Sequence, residues 1–145
     1  MNDLWFDPNL IATGVTDLSE VECLALLSTT TVGLIAFCDQ DGQQLVPVNF
    51  AVANESIYFR TLPDGILSQL GLSVRDVAFG VDHHDDLDRE GWNVTVKGVV
   101  SQVEDRATIN LLSNFGRVHP WVGGIRPSVK RLSIDRIDGR RISRD

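Results

Sequence analysis

Residues 31–61 hold three short apolar segments separated by turns, and few folds accept that succession. Thr31–Cys38 is a near-continuous apolar run that ends in Asp39-Gln40-Asp41-Gly42. This is the pattern of a buried strand entering a hairpin. The return segment, Gln44 to Ala53, puts Val46, Val48, Phe50 and Val52 on one face and Leu45, Pro47, Asn49 and Ala51 on the other. Proline cannot donate to a strand ladder, so Pro47 predicts an edge or an opening at that point. Asn54-Glu55 supplies the next turn. Ser56–Thr61 then reads as a third strand, with Arg60 facing opposite to Ile57 and Phe59.

The flanking segments extend the same architecture. Ser19 followed by Glu22 is a capping-box pattern, and it predicts a helix over about 19–29 with Val21, Leu24, Ala25, Leu27 and Ser28 on one face. After Pro63-Asp64-Gly65, Ile66–Leu70 reads as a short helix. Arg75–Asp82 is a fourth strand with Val77, Phe79 and Val81 alternating, followed by a polar loop, His83 to Glu90. Gly91–Glu104 is a long strand whose apolar parity changes, with Trp92, Val94 and Val96 on one face and Val99 and Val103 on the other. Gly98 therefore predicts a bulge or sharp bend of the kind a closing barrel needs. Asp105–Phe115 has helical spacing, and 118–127 is an irregular loop. Val129–Ile137 is the last strand, which Asp138-Gly139 turns into Arg140-Arg141-Ile142. The expected fold is mainly β: about six strands, mostly hairpin-linked, forming a small antiparallel barrel with short flanking helices. A length of 145 residues without repeats or a linker fits one domain.

Composition narrows the function classes. Hydrophobic residues make up 43% and charged residues 23%, which excludes a disordered chain. No apolar run reaches the ~18–20 residues of a spanning helix, and Met1–Leu4 lacks the basic flank of a signal peptide. A cytoplasmic protein with no membrane partner is expected. A net charge of −7 argues against a nucleic-acid-binding face. Charge is nevertheless uneven: residues 1–28 carry five acids and no base, whereas 126–145 carry seven bases and three acids. Such a basic end suits a phosphate, the acidic end of a partner chain, or simply solvent. Cys23 and Cys38 read as small core residues rather than a disulfide or metal pair. P-loop, G-x-G-x-x-G, G-x-S-x-G and H-E-x-x-H patterns are all absent. His83-His84-Asp85-Asp86 is the one dense polar cluster, but adjacent histidines on an extended segment face apart, so an exposed loop rather than a metal site is expected.

An ordered set of segments carries a family resemblance. Val32–Phe37, Val46-Pro47-Val48-Asn49-Phe50, Ile57–Thr61 with Gly65 and Leu67, Val77–Asp82, Gly91–Val94, Pro120-Trp121 and Gly139–Ile142 follow one another in register. Together they resemble the pyridoxamine 5′-phosphate oxidase-like proteins, the FMN-binding split β-barrels, over residues 18–142, with 1–17 as an N-terminal extension. The resemblance implies a six-stranded Greek-key split barrel and a homodimer with FMN at the subunit interface. It also implies an oxidoreductase acting on a small-molecule redox substrate. It points to Pro47, Val48 and Asn49 along the flavin ring, and to Phe59, Arg60, Thr61 and Leu67 around the phosphate. Trp121 and Arg126 correspond to the loop that reaches the site from the other subunit. No side chain is assigned as a catalytic acid or base.

Two positions depart from the family pattern. Ile66 stands where a lysine is usual, and Leu34 where an arginine is often found. Losing a cation from a phosphate site removes ~1.5–3 kcal/mol of charge-assisted hydrogen bonding. The alternative reading is therefore a split-barrel binding or regulatory module that has lost FMN or holds another ligand such as F420 or haem.

Overall fold

The computed structural model describes residues 14–72, 76–113 and 128–143. Its strands are β1 (Val15–Asp17), β2 (Val32–Asp39), β3 (Gly42–Ala53), β4 (Ser56–Thr61), β5 (Asp76–Asp85), β6 (Glu90–Val103), β7 (Ser128–Ser133) and β8 (Arg136–Ile142). Helices α1 (Glu20–Leu27) and α2 (Arg106–Ser113) and a 3-10 turn at Ile66–Gln69 accompany them. The order β6-β5-β2-β3-β4-β7 is antiparallel throughout and returns from β7 to β6, closing a six-stranded barrel. β5 lies beside β2 after the β2-β3-β4 meander, which is the Greek-key return. β8 and β1 extend the sheet on the other side of β6.

Local chemistry explains the hairpins. Asn54 and Glu55, the two residues between β3 and β4, have φ of 49° and 58°. A two-residue loop with both φ positive is the type I′ turn, whose twist matches the strands it joins. At α1, the Glu22 amide donates to Ser19 Oγ at 3.2 Å while the Ser19 amide donates to Glu22 Oε1 at 3.1 Å. These bonds from Ser19 hold the Glu22 carboxyl below its ordinary pKa. The buried side of α1 differs from the expected one. Cys23 and Leu27 are buried, whereas Val21 is 77% exposed, because α1 docks through Cys23 on Gly139 of β8. A Cβ at Gly139 would lie 2.9 Å from the Cys23 sulfur. Burial among apolar groups raises the Cys23 thiol's pKa. Cys38, by contrast, is exposed, since it alternates with the buried Phe37 along β2.

β6 corrects the expected change of parity. Val94, Val96 and Val100 are all buried and share one face, while Val99 stays 39% exposed. Pairing with β5 runs without interruption from Asp85↔Glu90 to Asp76↔Val99, so there is no bulge on that side. What changes at Gly98 is the other neighbour: residues 91–97 pair with β8 and residues 100–103 with β7. Val103 serves a second, smaller cluster with Tyr58, Leu112 and Val129 under α2. The C-terminal strand likewise divides earlier than expected. The break falls at Ile134-Asp135, where the Asp135 amide donates to the Lys97 carbonyl at 3.1 Å, and Asp138-Gly139 lies inside β8. β5 also continues through His83–Asp85, pairing His83 with Trp92 and His84 with Gly91. Those polar residues form strand because backbone pairing satisfies their amides whatever the side chain.

The main core fills the barrel, with Phe50 and Phe79 meeting edge to face at 4.9 Å between centroids. β1 sets Asp17 across from Arg140, and the Arg141 charge helps lower the Glu22 pKa, so these two acids lie beside the basic end of the chain. Among the described residues no helix is long and apolar enough to cross a membrane.

Two substitutions test this account. A side chain at Gly98 would run into the Ser133 carbonyl group, so Gly98→Ala is expected to cost about 2–3 kcal/mol in denaturant unfolding. Ser19→Ala is expected to cost about 1 kcal/mol at neutral pH. Because the folded Glu22 pKa is lowered, its contribution is present above the unfolded carboxyl pKa and is lost as pH falls through the folded one. The stability gap between wild type and Ser19→Ala should therefore narrow in acid, as unfolding curves recorded at a series of pH values will read.

Candidate functional site

The barrel opens between β3 and β4. Their pairing runs from Ala53↔Ser56 to Phe50↔Phe59 and stops one step before Asn49 and Arg60 would meet. From Gly42 to Asn49, β3 keeps β2 on one side only, with Pro47 in that stretch. Pro47 thus occupies the open edge its missing N–H predicts. On one lip of the opening stand Pro47, Val48 and Asn49, and on the other Arg60 and Thr61.

Strand alternation sorts these residues. Pro47 and Asn49 are exposed on the outer face, while the Val48 side chain is in the core, which leaves only its backbone to face a ligand. Phe59 and Leu67 are also core side chains, at 3% and 8% exposure. Arg60 projects to the outer face with Tyr58, and Thr61 to the inner face with Phe59 and Ile57. Trp121 and Arg126 lie outside the described residues, as do His119 and Pro120.

The electrostatics of the second lip are unbalanced. Arg60 Nε and Thr61 Oγ1 are buried and make no hydrogen bond among the described residues. Burial also pulls the Arg60 guanidinium below its ordinary pKa. Orphaned buried donors are rare because each costs about 1–3 kcal/mol of lost hydration. Across β4, paired with Phe59, sits Lys130 of β7, only 1% exposed. Its Nζ donates to Gln102 Oε1 at 3.0 Å and to the Ser68 carbonyl at 3.3 Å, both neutral acceptors. The ion pairs among the described residues all involve His84, so neither Arg60 nor Lys130 has a carboxylate partner there. Arg60 on the outer face and Thr61 on the inner face are each an unpartnered donor at the end of β4, one of them charged. Among the described residues no carboxylate competes with a phosphate ester there.

Lys130 escaped the sequence reading, although one signal was present. It shares strand parity with Leu132, a core residue, so its side chain had to be buried as well. The His83–Asp86 cluster assembles differently. His84 Nδ1 lies 3.3 Å from Asp82 and Nε2 3.7 Å from Asp86, all three exposed at the tip of the β5-β6 hairpin. Among the described residues no three His, Cys, Asp or Glu side chains group as a metal site.

The family profile described as pyridoxamine 5′-phosphate oxidase matches residues 19–141. The chain belongs to this family. The chain is 26% identical over 138 residues to the uncharacterized Mycobacterium tuberculosis protein Rv0080, covering 90% of this chain and 88% of that one. It is also similar to the FAD-binding protein of Mycobacterium smegmatis, at 30% identity and a TM-score of 0.68 over 89% of this chain and 99% of the other. An FAD-binding protein from Mesorhizobium loti shares the fold, with a TM-score of 0.73 at 23% identity over 89% of this chain and 99% of that one. The split barrel expected for the pyridoxamine 5′-phosphate oxidase family is the one described above.

Thr61 offers a direct check of the unpaired hydroxyl. Thr61→Val keeps the shape and removes an unsatisfied polar atom, so stability should stay level or rise by about 1 kcal/mol. A loss of stability in chemical denaturation would mean that the hydroxyl already has a partner.

Proposed function

We propose that this chain is a flavin-binding oxidoreductase whose Arg60 and Thr61 receive the flavin 5′-phosphate. The observation that carries the reading is the pair of buried, unpartnered donors at consecutive positions of β4, beside an open strand edge. The similar FAD-binding protein of Mycobacterium smegmatis supports a flavin ligand. FMN and FAD share the riboflavin 5′-phosphate, and we take FMN, the flavin that the sequence resemblance implies, as the natural ligand. Arg60 supplies the charge, and Thr61 adds a hydroxyl donor at the end of β4. Pro47 and Asn49, exposed on the opposite lip, offer a backbone edge and one amide side chain to the polar rim of the ring. When bound, the flavin supplies hydride and electron transfer, and the protein supplies orientation and electrostatics.

A homodimer is part of the same proposal. β2 exposes Val32 at 53% and Leu34 at 42%, and β3 exposes Leu45 at 65%, beside Pro47 and Cys38 on one continuous outer face. An apolar sheet face of this kind suits a two-fold contact, in which the same surface meets itself. The dimer would bring a second copy alongside the open lip that carries Pro47 and Asn49.

One observation favours the rival reading of a barrel without flavin: Ile66 and Leu34 are 47% and 42% exposed where basic residues are usual in the family. The visible spectrum of the purified protein, followed by titration with FMN, FAD and riboflavin, separates the two. Bound flavin, or micromolar FMN binding weakened about tenfold or more by Arg60→Ala, is the expected result. An absence of chromophore and of binding by all three flavins would transfer the chain to the rival reading. Sedimentation should show a dimer, and a ~16 kDa species alone at working concentration would remove the shared-site arrangement.

A further inference from the structure

We propose that Lys130 is a second cation of the phosphate site, acting from inside the barrel beneath the Ile66–Gln69 turn. The inference rests on the flavin reading above and names the residue that offsets the missing lysine at position 66.

Three observations converge on it. First, Lys130 is 1% exposed, and among the described residues its Nζ meets only Gln102 Oε1 and the Ser68 carbonyl. An ammonium has three N–H donors, and a buried charge held by neutral acceptors keeps an uncompensated desolvation cost. Burial accordingly lowers the Lys130 pKa. Second, the registers Phe59↔Lys130 and Thr61↔Ser128 put Lys130 and Thr61 on the same inner face as diagonal neighbours. The Arg60 side chain leaves between them on the outer face, so both cations bracket the end of β4 where the unpartnered donors lie. Third, the carbonyl that Lys130 holds belongs to Ser68, inside the turn that begins with Ile66. The turn that carries Ile66 is thus bonded to a buried lysine two residues further on, at Ser68.

The physical consequence is a site whose positive potential is paid for in stability while no anion is present. A phosphate at Arg60 and Thr61 would relieve both unpaired charges together. Lys130 does not touch the ligand in this arrangement. It is a positioning residue that anchors the turn and adds charge through a low-dielectric interior, where attraction between unit charges falls slowly with distance.

The test compares Lys130→Met and Lys130→Gln with wild type in the full-length protein, reading melting temperature and the affinities for FMN and riboflavin. Methionine keeps the volume without charge, and glutamine keeps a hydrogen bond to Ser68 without charge. Both variants are expected to melt at the same temperature as wild-type apoprotein or higher. Their riboflavin affinity should be unchanged and their FMN affinity about tenfold lower. An unchanged ratio of FMN to riboflavin affinity would overturn the proposal. So would an equal fall in both affinities with a lower melting temperature, which is the signature of a structural role alone. Should wild type bind neither flavin, the flavin reading fails by itself, and inorganic phosphate decides the fate of Lys130. Phosphate stabilisation that disappears in both variants retains Lys130 in an anion site, whereas no stabilisation of wild type removes it.

Discussion

Everything in this barrel depends on one strand serving two partners. β6 is continuous from Glu90 to Val103, yet its neighbour changes from β8 to β7 at Gly98. The change is possible because the Ser133 carbonyl comes to rest where a side chain would stand on any other residue. Ser133 Oγ secures the crossing by accepting from the Val99 amide at 3.1 Å and donating to the Val99 carbonyl at 3.2 Å. Closure of β7 on β6 then brings β4 and Lys130 into the same wall. Extension by β8 provides the platform on which Gly139 receives Cys23 of α1.

Closure on one side leaves an opening on the other. β3 is twice the length of β4, with 12 residues against six, so its first half must run on without that partner. The polar residues at this mismatch are held in an arrangement that folding alone would not favour. Arg60 Nε and Thr61 Oγ1 lack hydrogen bonds, and Lys130 lacks a counter-ion among the described residues. Buried donors without partners reduce stability, and these lie on neighbouring positions of β4 and β7. The rest of the interior, centred on Phe50, Phe79 and Ile35, is apolar and offsets that cost.

How far the site was legible in the sequence differs from residue to residue. Arg60 and Thr61 entered through the family resemblance, which their chemistry suits: a cation and a hydroxyl at the end of an otherwise apolar strand. Pro47 announced the open edge through its missing donor. Val48, Phe59 and Leu67 belong to the same segments, but their side chains are used up in the core, so only their backbones remain for a ligand. Lys130 was hidden because a lysine in a strand is normally solvated, and only its parity with Leu132 betrayed burial. The buried side of α1 was misread for a related reason. A short helix carries apolar residues on several sides, and the partner surface around Gly139 selects among them.

The order of apolar segments, the type I′ turn at Asn54-Glu55 and the capping box at Ser19 and Glu22 are properties of neighbouring residues. They were determined by the chain itself, because strand alternation, positive φ and cap hydrogen bonds act over a few positions. The division of the last segment at Ile134-Asp135 and the uninterrupted pairing of β6 with β5 through Gly98 were decided only in the folded barrel. So was the extension of β5 through His83–Asp85. Each depends on which backbone arrives from a distant part of the chain, and backbone pairing, unlike side-chain pattern, leaves no local mark in the sequence.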